Sequence, residues 1–398
     1  MPWKETDAMN QRIEFVLKAL KTDNFRALCG EYGISAKTGY KWRERFLQDG
    51  LNGMGEHSRR PRSSPKGLSE AEVCEIIRIK QKHRAWGPRK VRAIYGRAHG
   101  QTPSESSFKR VLERAGYTEK RRLRKMQEAG RLYSGKRAQA PNEVWTVDFK
   151  GWWYGAQGRR CEPLTVRDEY SRYVLDLRAL PDARTQSVRQ SFERLFEKHG
   201  LPGAIRSDNG SPFANTAAIL GLTRLSAWWL VLGIDLERSR PGCPQDNGGH
   251  ERLHLDIHWE LEKQRLGEEQ AHLDEWRRTF NEERPHEALA MKFPAELYRS
   301  SDKKYIGAPE DITYENMASR KVQTTGAIGW AGAHHFISTA LQGWSVGVEP
   351  IDQERCNVWF GSLLLGQLEP ATASFHPAQP GSPQKEISPA SDAGKEER

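Results

Sequence analysis

Three acidic residues stand in surroundings that suit phosphodiester chemistry: Asp148 in WTVDF, Asp208 in RSDNGSPF and Glu251 in PGCPQDNGGHER. Fifty-nine residues separate the two aspartates, and 42 separate Asp208 from Glu251. Breaking a phosphodiester needs a nucleophile made from water or a 3′-hydroxyl and a stabilised leaving oxygen. Two Mg2+ ions about 3.5–4 Å apart serve both needs. Mg2+ takes hard oxygen ligands and keeps several waters, so a few carboxylates and the substrate phosphate suffice. No thiolate or histidine set is required. The five cysteines (Cys29, Cys74, Cys161, Cys243, Cys356) are scattered without a CxxC pair. That pattern argues against a zinc site or a disulfide framework and fits a reducing cytoplasm. The one histidine doublet, His334–His335, reads as a solvated loop pair.

The elements around the carboxylates must bring them together. From Pro141 the pattern is that of strands: VWTVDFKGWW, then PLTVRDEYSRYVLDLRAL as two strands turning near Tyr170-Ser171-Arg172. Val188, Phe192, Leu195 and Phe196 recur at helical spacing in a segment ending at Gly200. AIRSDNG is a short strand running into a loop, IDLERSRPG another strand, and DNGGHERLHLDIHWELEKQ a long helix. This order predicts a mixed α/β sheet. It puts Asp148 in the first strand, Asp208 directly after the fourth, and Glu251 on the helix after the fifth. Other acids compete for these places. Asp168 lies in a strand without a matching flank and can pair with Arg167 or Arg172. Asp256, Glu260 and Glu262 follow Glu251 on its helix, and Glu262 returns to the same face three turns on.

The front of the chain is basic. Residues 1–140 hold 32 Lys and Arg against 15 Asp and Glu, and the remainder holds 30 against 37, for the overall net charge of +10. A basic region joined to a mildly acidic one suits a nucleic-acid-binding part attached to a metal-dependent catalytic part. Ile13, Val16, Leu17 and Leu20 predict an apolar helical stripe. Asn24 can cap a helix carrying Phe25, Leu28 and Cys29. Gly33-Ile34-Ser35 then makes a turn, and Ser35 caps a helix from Ala36 to Gln48. That helix buries Tyr40 or Trp42, together with Phe46, and shows Lys37, Thr38, Lys41, Arg43 and Arg45. Residues 1–50 thus read as a helix-turn-helix domain with Lys37, Thr38, Lys41 and Arg45 toward DNA. Residues 51–69 read as a basic linker whose Arg59, Arg60 and Arg62 can track phosphates. Ser69 and Glu72 form a capping-box pattern. Residues 70–117 read as a second helix-turn-helix-like domain, with Ser104 as a cap. Residues 118–140 form a basic arm, with Arg121, Arg122, Arg124 and Lys125 as sequence-blind phosphate contacts.

Taken together, WTVDF, RSDNGSPF and the Asn-Gly-x-x-Glu-Arg start of the long helix resemble the three carboxylate motifs of insertion-sequence transposases with a retroviral-integrase core. The resemblance covers about residues 141–295. It implies an RNase-H-like catalytic core over residues 141–300 that cleaves and joins DNA strands with Mg2+ or Mn2+, two ions in all. Residue by residue, it makes Asp148, Asp208 and Glu251 the metal ligands. Asn209 and Gly210 shape the loop beside Asp208, and Asn247 helps set the helix start. Trp145 packs beneath the first strand, and Ser171-Arg172-Tyr173 matches the turn before the third. Two departures stand out. The interval to the glutamate exceeds the roughly 35 residues common in the superfamily, and an inserted helix within Asn215–Leu232 accounts for the excess. Seven residues after the glutamate, relatives often carry Lys or Arg, but here the residue is His258. It shares a helical face with Glu251 and His254 (or Leu255) and can take the DNA-contacting place with a charge that depends on pH.

Short apolar runs from Ile312 to Leu368 predict a small SH3-like β-barrel over residues 301–369. The Pro/Ser/Ala-rich segment 370–398 predicts disorder. The implied partners are double-stranded DNA (the element's terminal repeats and a target) and further copies of the chain, since two DNA ends are joined in one event. No apolar run is long enough to span a membrane and no signal pattern opens the chain, so the expectation is a bacterial, cytoplasmic, nucleoid-associated protein. A DNA-binding regulator with an inactive core, or a hybrid nuclease that does not join strands, shares much of this pattern. The three carboxylates speak against the first and the basic front against the second.

Overall fold

The computed structural model describes residues 7–56, 67–118, 137–240, 243–372 and 374–379. Arg59, Arg60, Arg62, Arg121, Arg122, Arg124 and Lys125 lie outside the described residues. The chain divides into two compact units, residues 1–67 and 68–398.

The first unit is built from α1 (Ala8–Ala19), α2 (Phe25–Glu31) and α3 (Ala36–Asp49). The sequence sets their starts: the Asn24 side chain accepts from the Ala27 N–H at 3.1 Å, and Ser35 Oγ from the Thr38 N–H at 3.2 Å. These caps satisfy amides that the helices leave unpaired. Trp42, not Tyr40, enters the core with Phe15, Val16, Leu28 and Cys29. Leu17 and Leu20 are exposed, because the buried stripe of α1 runs through Phe15, Val16 and Ala19. The basic linker also starts later than its composition predicts. Gly50–Met54 forms a 3-10 turn whose Met54 is fully buried. The turn is apolar enough to close the unit, and the Arg12 guanidinium donates to the Met54 carbonyl at 3.1 Å.

In the second unit, α4 (Glu70–Lys82), α5 (Pro88–His99) and α6 (Glu105–Arg114) pack around Ile76, Trp86, Val91, Tyr95, Phe108 and Leu112. Ser69 and Glu72 form the capping box, and Ser104 caps α6. The bundle is held to the last part of the catalytic core, between Glu283 and Glu296, by ion pairs. Lys82 meets Glu283 at 2.9 Å, Arg89 meets Glu287 at 3.0 Å, and Arg97 takes Glu296 through both terminal nitrogens. The Arg97 guanidinium also lies 3.8 Å over the Phe293 ring.

The core comprises β1 (Val144–Phe149), a small hairpin β2 (Trp153–Tyr154) and β3 (Arg160–Cys161), β4 (Pro163–Asp168), β5 (Val174–Ala179), α7 (Thr185–His199), β6 (Ala204–Ser207), α8 (Arg224–Val231), β7 (Asp235–Arg238), α9 (Gly248–Glu260), α10 (Gln270–Glu282) and the short α11 (Pro294–Leu297). The sheet order is β5-β4-β1-β6-β7, with the first three strands antiparallel and β1, β6 and β7 parallel. Side chains alternate across a strand, so Trp145, Val147, Leu164 and Val166 face α7 and α8. Thr146, Asp148, Thr165 and Arg167 therefore face the other way, toward α9. Within the stretch Asn215–Leu232 lies α8, whose Trp228 and Trp229 fill the space against Phe192 and Phe196. The indole of the fully buried Trp145 donates to Asn142 at 3.0 Å.

Beyond the core come β8 (Ala318–Lys321), β9 (Ala327–Trp330), β10 (Ala333–Phe336), β11 (Ser345–Pro350), β12 (Cys356–Phe360), β13 (Leu363–Glu369) and β14 (Ser374–Pro377). The expected closed barrel is not formed. An open antiparallel sheet of order β14-β13-β12-β11-β8 stands beside the β9–β10 hairpin, and the two end strands do not pair with each other. Closure is unnecessary because Leu222 and α8 residue Ala227 join Val346, Val358 and Leu365 in its core. Two further expectations are corrected. His334 and His335 lie in β10, with His335 buried and bonded to the Trp330 carbonyl. The start of the segment expected to be disordered is regular, since β14 pairs with β13 and Phe375 packs on the same core, and residues 380–398 lie outside the described residues.

The burial of Met54 gives a direct test of where the first unit ends. Met54→Ala should destabilise it by about 2–4 kcal/mol, as deletion of a buried side chain does. Urea unfolding followed by circular dichroism measures this, and an unchanged midpoint would return Met54 to the linker.

Candidate active site

β1 and β6 are parallel neighbours with Thr146 opposite Arg206, so Asp148 and Asp208 emerge at the same level of the sheet. Asp148 is partly buried on the face toward α9, and Asp208 lies exposed just past β6. Their proximity shows in the titration of Asp148. Its carboxyl is pushed up to about 7, first by burial and then by the charge of Asp208, while the Phe149 amide pulls the other way. The loop after β6 is shaped as its Asn-Gly pair implies. The Gly210 amide donates to Asp208 Oδ1 at 3.1 Å, and Asn209 Nδ2 to the Ser239 carbonyl at 2.7 Å. Arg238, at the end of β7, donates to Ser207 Oγ at 2.7 Å and lies in the field of Asp208. Burial lowers its guanidinium to about 10, against the opposing pull of Asp208.

α9 approaches the sheet closely. A Cβ on Gly249 would stand 1.9 Å from Arg167 Nη2, and Arg167 is itself buried, bonded to Thr146 and paired with Glu169. Only glycine lets the helix start lie this near. Two turns of the helix then present histidines to the sheet. His250 is fully buried and well below its ordinary value, chiefly through desolvation, so it is neutral. Its Nε2 lies 3.3 Å from the Thr165 carbonyl and must donate, which leaves Nδ1 as an acceptor. Nδ1 faces the Asn247 side chain at 3.2 Å, and Asn247 Nδ2 is otherwise buried without a partner. Turning the Asn247 amide over satisfies both groups, so we assign Nδ2 as the donor to His250. Asn247 thereby positions the helix start through His250.

His254 is the α9 residue that meets Asp148, with Nδ1 3.9 Å from Oδ2. Burial, then Lys150 and Arg167, lower it to about 3. The Thr165 hydroxyl donates to the Asp148 carbonyl at 2.8 Å and so accepts from His254 Nε2 at 3.0 Å. The imidazole is a neutral wedge beside the carboxyl, with its bare Nδ1 toward a group whose affinity for a proton is itself raised. Glu251 lies one turn earlier on the same helical stripe and is exposed. His258, one turn later, is half-exposed and bonds Glu262 at 2.9 Å, and Lys150 meets the same carboxylate at 2.9 Å.

The competing acids are engaged elsewhere. Asp168 accepts from Asn142, from the Ser171 amide and from the Ser171 hydroxyl, which pins the turn where Arg172 adopts φ +62°. Asp256 and Glu260 both hold the buried Arg284, at 2.7 and 2.8 Å. Glu262 serves Lys150 and His258. Among the described residues, no set of three His, Cys, Asp or Glu side chains is gathered closely enough to hold one ion. Asp148 and Asp208 come together, while Glu251 stands apart on the rim. As a donor set the three are hard oxygens, two of them already in mutual repulsion that a divalent cation would relieve.

An integrase core domain model matches residues 138–244 and a second matches residues 232–294. A helix-turn-helix domain model matches residues 11–62, and a homeodomain-like one residues 38–112. The chain is 26% identical over 242 residues to an insertion element IS407 protein of Burkholderia multivorans, covering 59% of this chain and 83% of that protein. It is 25% identical over 254 residues to an insertion element IS476 protein of Xanthomonas euvesicatoria, covering 62% and 70%. The helix-turn-helix and integrase-core matches, with these insertion-element relatives, support an insertion-sequence transposase with an integrase-type core. Among solved structures, the catalytic core of BIV integrase matches with 21% identity and a TM-score of 0.29, covering 39% of this chain and 93% of that one. A simian T-cell lymphotropic virus intasome chain matches with 13% identity and a TM-score of 0.36, covering 66% and 90%. For a transposase of this family, the helix-turn-helix and integrase-core parts indicate a DNA-binding protein. Among the described residues no helix is long and apolar enough to cross a membrane.

Metal-free protein carries the cost of the Asp148–Asp208 pair, and its pH dependence has a definite sign. The folded Asp148 carboxyl titrates near 7 against 3.8 ordinarily, so between these values the folded state binds more protons. The contribution of Asp148 is therefore lost as pH rises through that window. In chelator, Asp148→Asn should raise stability by on the order of 1–3 kcal/mol at pH 8 and by nothing near pH 4. Denaturant midpoints at the two pH values measure it, and an equal effect at both would remove the titration argument.

Proposed function

We propose that this chain binds the ends of its DNA element and carries out metal-dependent strand cleavage and strand transfer, with Asp148, Asp208 and Glu251 as the metal-binding carboxylates. The observation that carries this reading is the elevated Asp148 beside Asp208 at the ends of two parallel strands. Burying a carboxyl against a like charge costs stability, and such clusters mark functional sites. Mg2+ or Mn2+, two ions in this reading, would activate the attacking hydroxyl and stabilise the leaving oxygen. Asp148 and Asp208 would hold the shared cation. Glu251 approaches from α9, where Asn247, His250 and Gly249 fix the helix start and Arg284 clamps Asp256 and Glu260 further on. Its exposure leaves it room to turn toward the pair, one helical turn from the contact that His254 makes. His258, half-exposed beyond it and bonded to Glu262, is proposed to face DNA.

In the first unit, Lys37 and Lys41 are exposed on α3 and are proposed to meet the groove. Thr38 shares its hydroxyl with Ser35 at 2.9 Å, while Arg45 donates to the Gly55 carbonyl and stacks over Trp42 at 5.0 Å. Both are therefore proposed as contacts that also hold the domain together. Arg59, Arg60, Arg62, Arg121, Arg122, Arg124 and Lys125 are proposed phosphate contacts. Joining two ends in one event calls for a dimer or larger assembly on DNA.

Asp148→Asn, Asp208→Asn and Glu251→Gln should each abolish cutting of a labelled terminal duplex in Mg2+ or Mn2+ while leaving its binding within about twofold. Substantial cutting by Glu251→Gln removes the third ligand. A parent protein that binds and never cuts would favour a DNA-binding regulator. For the first unit, Lys37→Ala and Lys41→Ala should weaken terminal DNA more than unrelated duplex in side-by-side titrations. Equal losses on both would show phosphate contact only.

A further inference from the structure

The β2–β3 hairpin inverts the usual rule for an exposed strand. Trp153 and Cys161 point inward, and their polar atoms are fixed: the indole donates to the Leu266 carbonyl at 2.7 Å and the thiol to the Gly267 carbonyl at 2.9 Å. Gly267, at φ +92°, would place a Cβ 2.9 Å from the Trp153 ring, so the hairpin lies flat against the loop between α9 and α10. The Gln157 amide adds a bond to Glu268 at 2.8 Å. With the inner face anchored, period-two alternation turns Trp152 and Tyr154 outward. They are 54% and 57% exposed, with rings 5.4 Å apart in a T-shaped arrangement. Arg160, opposite Tyr154 in register, holds its guanidinium 5.2 Å over Trp152 and pairs with Glu162 on its other side. The exposed Arg159 bonds the neutral side chain of Gln157.

Trp152 follows Asp148 by four residues, within about 14 Å by backbone reach. Lys150, between them, is tied through Glu262 to His258 of α9, and the hairpin is anchored on the loop that follows the same helix. Large aromatics kept in water on a rigid mount, with guanidinium groups beside them, match the chemistry that holds unpaired nucleobases. Each base offers a π-face to stack, and the cations meet its phosphate. Such stacking is indifferent to sequence. We infer that Trp152 and Tyr154, with Arg159 and Arg160, form a stacking platform for unpaired bases of the DNA strand that enters the Asp148–Asp208 site. This rests on the proposed function for why DNA is there, but the platform itself can be tested without catalysis.

The probes are a blunt duplex of arbitrary sequence and the same duplex with an unpaired six-nucleotide dT tail, titrated by fluorescence anisotropy in chelator with the full chain. The parent should bind the tailed duplex about tenfold more tightly, the scale of one or two stacked bases. Trp152→Ala with Tyr154→Ala should bring the ratio to about one while leaving blunt-duplex affinity within about twofold. Trp152→Phe with Tyr154→Phe should keep the preference, which separates loss of stacking from loss of fold. Phe336→Ala, an exposed aromatic of β10, should change nothing. A parent without preference for the tail, or an alanine pair that retains it, overturns the inference. So does an alanine pair that changes the sedimentation of DNA-free protein and leaves the preference intact, since the aromatics would then belong to a subunit interface. Cutting assays on the same proteins keep the two ideas apart. Asp148→Asn should lose cutting and keep the tail preference, so failure of either result leaves the other readable.

Discussion

Asp148 and Asp208 repel one another at the ends of two parallel strands, and much of the core is arranged to bear that repulsion. Parallel pairing of β1 with β6 needs a crossover, which α7 supplies on the far face with the aromatic layer of Trp145, Phe192, Phe196, Trp228 and Trp229. With the apolar mass on that side, the near face can carry polar groups: Thr146, Thr165, Arg167, Arg206 and the two neutral histidines of α9. Arg238 faces Asp208 from the neighbouring strand and offsets part of the repulsion without forming a bond to it that would close the site. A cation is the one species that would relieve both carboxylates at once.

The polar face also explains the rigidity of α9. His250 and Asn247 satisfy each other once the amide is turned, Gly249 lets the helix settle on Arg167, and Arg284 grips two acids a turn apart. Each device fixes the helix that carries Glu251, while Glu251 itself stays free of such ties in solvent. In the role proposed for it, Glu251 would turn onto a cation from a rigid backbone.

Much of this was legible in the sequence because it is local. The caps at Asn24, Ser35, Ser69 and Ser104, the antiparallel strands with the Ser171 turn, and the helix within Asn215–Leu232 all follow from short patterns. What was missed depends on contacts between distant residues. Nothing near Gly249 announces Arg167, 82 positions earlier. The role of Arg238 beside Asp208 needs the β6–β7 pairing. Trp42 and Tyr40 look equivalent until α1 and α2 choose between them. Met54 and Phe375 sit in stretches whose composition reads as linker and tail, yet each supplies one apolar side chain that a neighbouring core lacks. Charge was also partly misleading. The basic excess of the front half counts Lys82, Arg89 and Arg97, which are spent on Glu283, Glu287 and Glu296 in the last part of the core rather than on phosphates.

The central claim is that the Asp148–Asp208 pair is a cation site completed by Glu251. The most direct measurement is anomalous diffraction from crystals of the chain bound to DNA and Mn2+. The account predicts manganese bridging the carboxylates of Asp148 and Asp208, with the Glu251 carboxylate turned in to a coordinated ion. Manganese bound elsewhere, or at the pair with Glu251 still in solvent and another acid in its place, would contradict it.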